Sequence, residues 1–292
     1  MILVVGATGM VGSEICRLLE AKGLPVRALV RPTADRAKVS RLEQLGAEVV
    51  PGDLRDPRSL EAACRGVATV ITTASSMPFA YEPAANTPHI TDQDGALALV
   101  AAAAAAGVRH LVYTSFPPMP AAFPLQDGKR AVEAALRASP LVHTILQPTF
   151  FMEAWLSPAV GFDYAARKVT VFGAGENPIS WISARDVARF AVASLDSEAA
   201  RNATLVLGGP EAISRCDAVR IFEEHTGAGF EVTSVPIEQL QAQLAAATDP
   251  MQKSFAGLML CCALEGPIDM TGVLGAFPVK LRSVREYAAS VA

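Results

Sequence analysis

Gly6, Gly9 and Gly12 stand at a Gly-x-x-Gly-x-x-Gly spacing, between an apolar run at 2–5 (ILVV) and an amphipathic stretch that begins at residue 10. At such a spacing the first glycine permits a tight turn, the second lets backbone approach a pyrophosphate, and the third lets a helix pack close to the strand. The helix that follows would point free N–H groups and a positive dipole end at the phosphates. A glycine pattern alone is weak. This one has the strand before it and the helix after it that a dinucleotide-binding βαβ unit requires. The spacing therefore predicts a dinucleotide phosphate site.

The second apolar run ends Leu29-Val30-Arg31-Pro32-Thr33. Sites that prefer NAD carry Asp or Glu here, to bond the ribose hydroxyls. This chain carries Arg31, with Arg36 and Lys38 just beyond. A guanidinium takes a 2′-phosphate in bidentate fashion, whereas a carboxylate repels it. NADP(H) is the expected cofactor, and the competing reading of Arg31 is a solvated loop charge. Asp53-Leu54 follows the third run. Asp53 is placed either to accept from an adenine amino group or to cap the helix starting near Pro57.

Lys129 opens the helical pattern after the fifth run. Short-chain dehydrogenases carry a Lys there and a Tyr four residues earlier, and the Lys lowers the Tyr pKa and binds the nicotinamide ribose. Here that earlier position is Leu125. From spacing alone, Lys129 reads equally as a site lysine or as an i,i+4 partner of Glu133 on an exposed face.

The elements that must position these residues alternate. Strands are expected at 2–5, 25–30, 47–50, 68–73, 109–114 and 142–147, with helices near 10–22, 34–45, 57–65, 91–106 and 127–139. Such alternation implies right-handed crossovers and a parallel sheet covered on both faces, a doubly wound α/β (Rossmann) fold. The segments 76–92 and 116–126 follow strands and are expected as loops at the ligand-binding carboxyl edge. Beyond Pro148 the rhythm breaks. Helices are expected at 150–156, 185–195, 214–226, 237–247, 251–264 and 283–290, short strands around a turn within 169–182, and a strand at 204–207. The division expected is 1–150 as the NADP(H)-binding domain and 151–292 mainly as a smaller α+β substrate lobe. Segments near 181–207 are expected to return to the first sheet.

Of 292 residues, 51% are hydrophobic and 18% charged, with a net charge of -4, which fits a globular enzyme rather than a disordered chain. No Lys/Arg run suggests a nucleic-acid footprint. Five cysteines without a Cys-x-x-Cys are read as reduced thiols. The opening MILVVGATG reads as a strand running into a glycine turn, so no signal peptide is expected, and the alanine-rich run at 95–108 is too short to span a bilayer. A cytoplasmic monomer or homodimer with neither membrane nor nucleic-acid partners is expected. His89, His110, His143 and His225 are scattered without metal-ligand spacing, so no metal is expected. Neither a Gly-x-Ser-x-Gly elbow nor a Walker-type Lys occurs.

Taken together, GATGMVG at 6–12, Arg31, Gly52-Asp53, Ala106-Gly107-Val108-Arg109-His110, Tyr113-Thr114-Ser115, Lys129 with Glu133, Thr144-Ile145-Leu146-Gln147-Pro148 and Ile182-Ser183-Ala184-Arg185-Asp186-Val187-Ala188 form an ordered set. The set resembles the NmrA-like group of atypical short-chain dehydrogenases. That group includes quinone, triphenylmethane and isoflavone reductases, and redox sensors without turnover. The likeness runs to about residue 195 and resumes at 283–287, leaving 208–275, the expected shaper of the substrate pocket, unmatched. It implies that Gly6, Thr8, Gly9, Met10, Val11 and Arg31 hold the dinucleotide. It puts Thr73, Ala74 and Ser75 beside the cofactor, and Ser115, Phe116, Lys129, Pro148, Thr149 and Phe150 around the nicotinamide. Its ether-reductase branch uses the equivalent of Lys129 for catalysis. Many members place an Arg where this chain has Gln147, so no charge role passes to that position.

The mechanism this implies is hydride transfer from NADPH to a quinone, a conjugated carbonyl or another flat aromatic acceptor, catalysed largely by positioning. Lys129 would stabilise negative charge growing on the acceptor oxygen. Phe116, Phe123, Phe150, Phe151 and Trp155 would form an apolar wall for a flat substrate, and the alternative for each is a place in the core. The main alternative to the reductase is an NADP(H)-binding redox sensor that signals to a protein partner. An isomerase ranks last, because it needs the missing Tyr.

Overall fold

The computed structural model describes residues 1–77 and 86–291. Ile2–Val5 (β1) is buried along its whole length, as a strand covered on both faces must be. Four further strands pair in parallel around it in close register: β2 (Val26–Val30), β3 (Glu48–Pro51), β4 (Thr69–Thr72) and β5 (His110–Thr114). β6 (Val142–Pro148) continues the parallel ladder beside β5. With β9 (Ala203–Leu207) the sheet has seven strands in the order 3-2-1-4-5-6-9. The fold is α/β, a doubly wound parallel sheet of the Rossmann type.

The crossover helices are α1 (Met10–Ala21), α2 (Arg36–Gln44), α3 (Pro57–Cys64), α4 (Ala96–Ala105) and α5 (Pro124–Ala138). Val11, Ile15, Cys16 and Leu19 form the buried stripe of α1. One core layer gathers Leu3, Val5, Leu60, Val70, Leu99, Leu111, Val132, Leu136 and Ile145. α2 is capped by Asp35, which accepts from Ala37 and Lys38, and α3 by Asp56, with Pro57 at its first position. The helix expected at 91–106 is α4 preceded by a π-helical turn, Pro88–Gly95. Of the loop expected at 76–92, residues 78–85 lie outside the described residues. α5 starts earlier than expected, at Pro124.

The chain divides into two compact units. The first takes Met1–Phe116, Pro124–Gln147 and Val187–Leu205; the second takes Pro117–Phe123, Pro148–Asp186 and the chain from Val206 onward. The second unit carries its own three-stranded sheet, in which β8 (Lys168–Phe172) pairs antiparallel with β7 (Phe162–Asp163) and parallel with β10 (Glu231–Val235). β10 was not expected from the sequence. Its first four residues are exposed, so no apolar alternation marks it. The strands expected within 169–182 are present as all of β8 but its first residue, followed by a turn and by isolated pairings of Ile179 with Ile213 and of Ile182 with Phe151. The remaining helices are α6 (Met152–Trp155), α7 (Ala184–Ala193), α8 (Arg215–Thr226), α9 (Ile237–Ala246), α10 (Pro250–Leu264), α11 (Thr271–Ala276) and α12 (Val284–Val291). α8 begins with a Ser214/Asp217 capping box and ends at Gly227 in the left-handed region.

Candidate functional site

In the first unit, parallel pairing brings the carboxyl ends of β1 to β5 to one edge of the sheet, and the turn after β1 is built for close approach. Gly6 has φ +85, and a Cβ there would lie 2.9 Å from both Ala74 N and Thr73 Oγ1. A Cβ on Gly12 would stand 2.2 Å from the Gly6 carbonyl oxygen, so only glycine lets α1 sit this near the turn. Gly9 N donates to Gly6 O at 2.9 Å and closes the turn. Gly9 is also the N-cap of α1, and it offers no capping side chain. The first turn of α1 contains no acid, so its positive end faces no carboxylate of its own. Thr8 is half-buried, Met10 is exposed and Val11 is buried under the helix. An uncapped helix end, a glycine cradle and close backbone suit a dinucleotide pyrophosphate.

Arg31 follows β2 and is half-buried; Arg36 reaches Glu43 at 3.8 Å, and Lys38 is exposed. Asp53 does not cap α3, whose cap is Asp56; its carboxylate is engaged by Arg55. Its Oδ1 accepts from Arg55 N at 2.9 Å and Arg55 Nε at 3.0 Å, and its Oδ2 from Arg55 Nη2 at 2.7 Å. Burial pushes the Asp53 carboxyl up, but the bonds and charge of Arg55, with Arg31 behind, hold it below the ordinary value. Leu54 is buried in the core layer, where the Gly95 backbone packs against it so closely that a Cβ would meet Leu54 Cβ at 2.7 Å. Thr73, Ala74 and Ser75 are half-buried after β4, and Ser75 Oγ accepts from Met77 N at 3.2 Å.

Lys129 is not on an exposed helix face and does not pair with Glu133. Its side chain is 5% exposed, and its Nζ lies 3.1 Å from Asp92 Oδ1, whose side chain is fully buried. Nζ also donates to Thr114 O at 3.4 Å and sits 5.1 Å from the centroid of the Tyr113 ring. Asp92 belongs to the π-helical turn, and its Oδ2 accepts from Ser76 N at 2.9 Å and Ser76 Oγ at 2.5 Å. Gly128, beside Lys129, lets the two segments close up, since a Cβ there would lie 3.2 Å from Gln93 Cβ. Burial works against the ammonium, yet Tyr113 and Asp92 more than offset it and hold Lys129 above the ordinary lysine value. Burial pushes the Tyr113 phenol up to about 12, against the opposing pull of Lys129.

Glu133 serves other partners. It accepts from Gln147 Nε2 at 2.8 Å and pairs with Arg130 at 3.0 Å and Arg137 at 3.4 Å. Arg130 donates to Ser115 Oγ at 3.0 Å and to the Phe116 carbonyl, with its guanidinium over the Phe116 ring. A cation thus stands beside Ser115 although position 147 carries none. Sequence reasoning missed Asp92, Ser76 and Arg130. The one available signal for Asp92 was an acid leading into an otherwise apolar alanine run.

In the second unit, Thr149 is buried, donating Oγ1 to Ser180 O at 2.5 Å and N to Leu207 O at 2.9 Å, and Pro148 before it is buried too. Phe150 packs edge-on to Trp155 at 4.8 Å and near Trp181 at 6.2 Å; Trp155 also meets Phe172 at 6.3 Å. These rings form core packing of the second unit. Phe123 is buried where Gly257 leaves room for it, and Phe151 is half-buried, bridging to Ile182. Arg215, also missed, is a fully buried cation donating to the carbonyls of Thr170, Trp155 and Val160. Among the described residues no cluster of His, Cys, Asp or Glu could hold a metal ion, and no helix is long and apolar enough to cross a membrane.

Comparison with known proteins agrees with this geometry. An NAD(P)H azoreductase of Xenophilus azovorans is 35% identical over 99% of this chain and 96% of its own length. The photosystem II assembly factor Ycf39 of Trieres chinensis is 28% identical over 81% of this chain and 72% of its own. An NADPH-dependent quinone oxidoreductase from Escherichia coli, solved with NADPH, superposes with a TM-score of 0.78 at 22% identity, covering 100% of this chain and 99% of that one, a likeness of fold. The model of the NmrA-like family matches residues 1–288, and the chain belongs to that family.

Proposed function

We propose that this protein is an NADPH-dependent reductase delivering hydride to an electron-poor small molecule, such as a quinone, an azo compound or a conjugated carbonyl. The observation that carries the reading is a pairing at one sheet edge: an uncapped glycine turn fit for a pyrophosphate, and a buried ammonium at the ends of β4 and β5. The cofactor is NADP(H), which supplies the hydride from its nicotinamide. Gly6, Thr8, Gly9, Met10, Val11 and Gly12 hold the pyrophosphate, with backbone N–H groups and the α1 dipole as the attraction. Arg31 takes the 2′-phosphate. Asp53, held ionised by Arg55, borders the adenine end with Leu54. Thr73, Ala74, Ser75, Ser115 and Lys129 serve the nicotinamide end. Pro148, Thr149 and Phe150 are assigned there by sequence resemblance alone. Lys129 provides a fixed positive charge that favours the negative charge developing on the acceptor, and a charge already in place costs no reorganisation during the reaction. Of the aromatic residues named from the sequence, Phe116 and Phe151 are half-buried, whereas Phe123 and Trp155 are enclosed in packing and offer no face to a flat substrate.

One observation favours a second reading, an NADP(H)-binding regulatory protein without turnover: the Lys129 ammonium is already paired and almost wholly enclosed. The similarity to a protein named as an assembly factor points the same way. NADPH oxidation by the wild type separates the two, and Lys129→Ala tests the part of the lysine in the chemistry. Under the reductase reading, turnover with a quinone or azo acceptor falls by about 100-fold, while NADPH affinity changes only a few-fold. Unchanged turnover removes Lys129 from the chemistry.

A further inference from the structure

We infer that Asp92 is a positioning residue of this site, fixing the Lys129 ammonium and tying it through Ser76 to the end of β4. The inference rests on the reductase reading above and adds to it a residue that acts through Lys129. Its starting point is an oddity of burial. A carboxylate and an ammonium, both enclosed and 3.1 Å apart, occupy a place that an apolar pair would fill with no desolvation cost. Such a pair costs least when its remaining valences are met, and here they are met at Asp92 Oδ2 and at the ammonium, whereas Asp92 Oδ1 makes no hydrogen bond and has the ammonium as its neighbour. Ser76 donates to Asp92 from both N and Oγ, while Lys129 donates onward to Thr114 O.

The contacts run in one line. Thr73 and Ala74 abut Gly6 of the phosphate turn; Ser76, just beyond them, holds Asp92; Asp92 holds Lys129; and Lys129 bonds the residue before Ser115. The backbone is shaped for this line. The π-helical turn Pro88–Gly95 carries Asp92, and such turns recur at functional sites. Gly95 and Gly128 remove the side chains that would keep the turn from its neighbours. An arrangement that only filled space would need neither the charge nor the serine.

Asp92→Asn keeps the shape and an acceptor for Ser76 while removing the charge. The expected result is a kcat lowered about 10- to 100-fold with a quinone acceptor, and an NADPH Kd within about twofold of wild type. Added to Lys129→Ala, the same change should lower kcat no further, because the two residues act as one unit. An unchanged kcat, or a loss that multiplies with that of Lys129→Ala, overturns the inference. A readout free of turnover keeps it distinct from the reductase reading. Acylation of lysines by an amine-reactive ester, mapped by mass spectrometry, should find Lys129 protected in the wild type and labelled about tenfold faster in Asp92→Asn, with Lys22 and Lys168 as exposed references. Equal labelling overturns the inference. Absent turnover by the wild type overturns the reductase reading instead. Should Asp92→Asn fail to fold, Ser76→Ala reads the same link, with about a threefold to tenfold loss of kcat expected and no loss contradicting it.

Discussion

At the scale of single residues, a side chain at the end of β2 acts on the ribose 2′ position chiefly through the sign of its charge. Arg31 was legible because the end of β2 is a position where side-chain sign has a direct meaning for the ribose 2′ position. Its prediction follows: Arg31→Ala should reduce the preference for NADPH over NADH by at least about tenfold, mostly through KM for NADPH. Steady-state kinetics with both cofactors checks it, and an unaltered preference would mean another cation holds the phosphate. Lys129 was legible by position, with its environment left open between a site lysine and an exposed partner of Glu133. Spacing offered Glu133 as its partner, but the side chain turns into the protein toward Asp92, which lies on a separate segment. No local periodicity reports a partner so far along the chain. The same holds for Arg215, whose three carbonyl acceptors come from other parts of the second unit.

At the scale of elements, apolar runs and glycine turns carried the reading where a strand or helix buries a face, and it lapsed where none is buried. β1 and α1 announce themselves by ILVV and by the stripe Val11, Ile15 and Leu19. β10, with its first four residues exposed, gives no such sign, and the π-helical turn before α4 has no distinct period of its own. Gly12 tests the β1–α1 junction. Gly12→Ala puts a methyl against the Gly6 carbonyl, where neither backbone segment can yield cheaply. A destabilisation of about 1–3 kcal/mol and a loss of NADPH affinity beyond about tenfold are expected. Thermal melts and NADPH titration report these directly, and wild-type affinity would refute the close-packed turn. The β5–β6 ladder makes a pH prediction. Thr144 Oγ1 donates to Ala200 O at 2.7 Å, so His110 Nε2, 2.9 Å away, is the donor to Thr144. Burial first, then Arg201 and His143, push His110 down to about 4. Between that value and the ordinary 6.5, the unfolded chain binds a proton that the folded chain does not. The His110 contribution is therefore complete above that ordinary value and is lost as pH falls toward the folded one. Melting temperature should decline over this window less steeply in His110→Gln than in the wild type, and parallel slopes would contradict the assignment.

At the scale of the whole molecule, the seven-stranded parallel sheet accounts for why residues as distant in sequence as Gly6, Arg31, Ser76, Asp92 and Lys129 belong to one structural unit. Each follows a strand or sits on the crossover that leads to the next, and parallel pairing sends those ends to one edge. Family membership and fold converge on NAD(P)H-linked reduction, and the family match extends through residues 208–275 of the second unit, where no motif was legible in the sequence. The most direct measurement is the initial rate of NADPH oxidation by the wild-type protein against a panel of quinones, azo dyes and enones, with NADH run in parallel. The account predicts turnover on at least one acceptor class, with kcat/KM for NADPH above that for NADH by about tenfold or more. Tight NADPH binding, seen as a raised melting temperature, with no oxidation on any acceptor would contradict it.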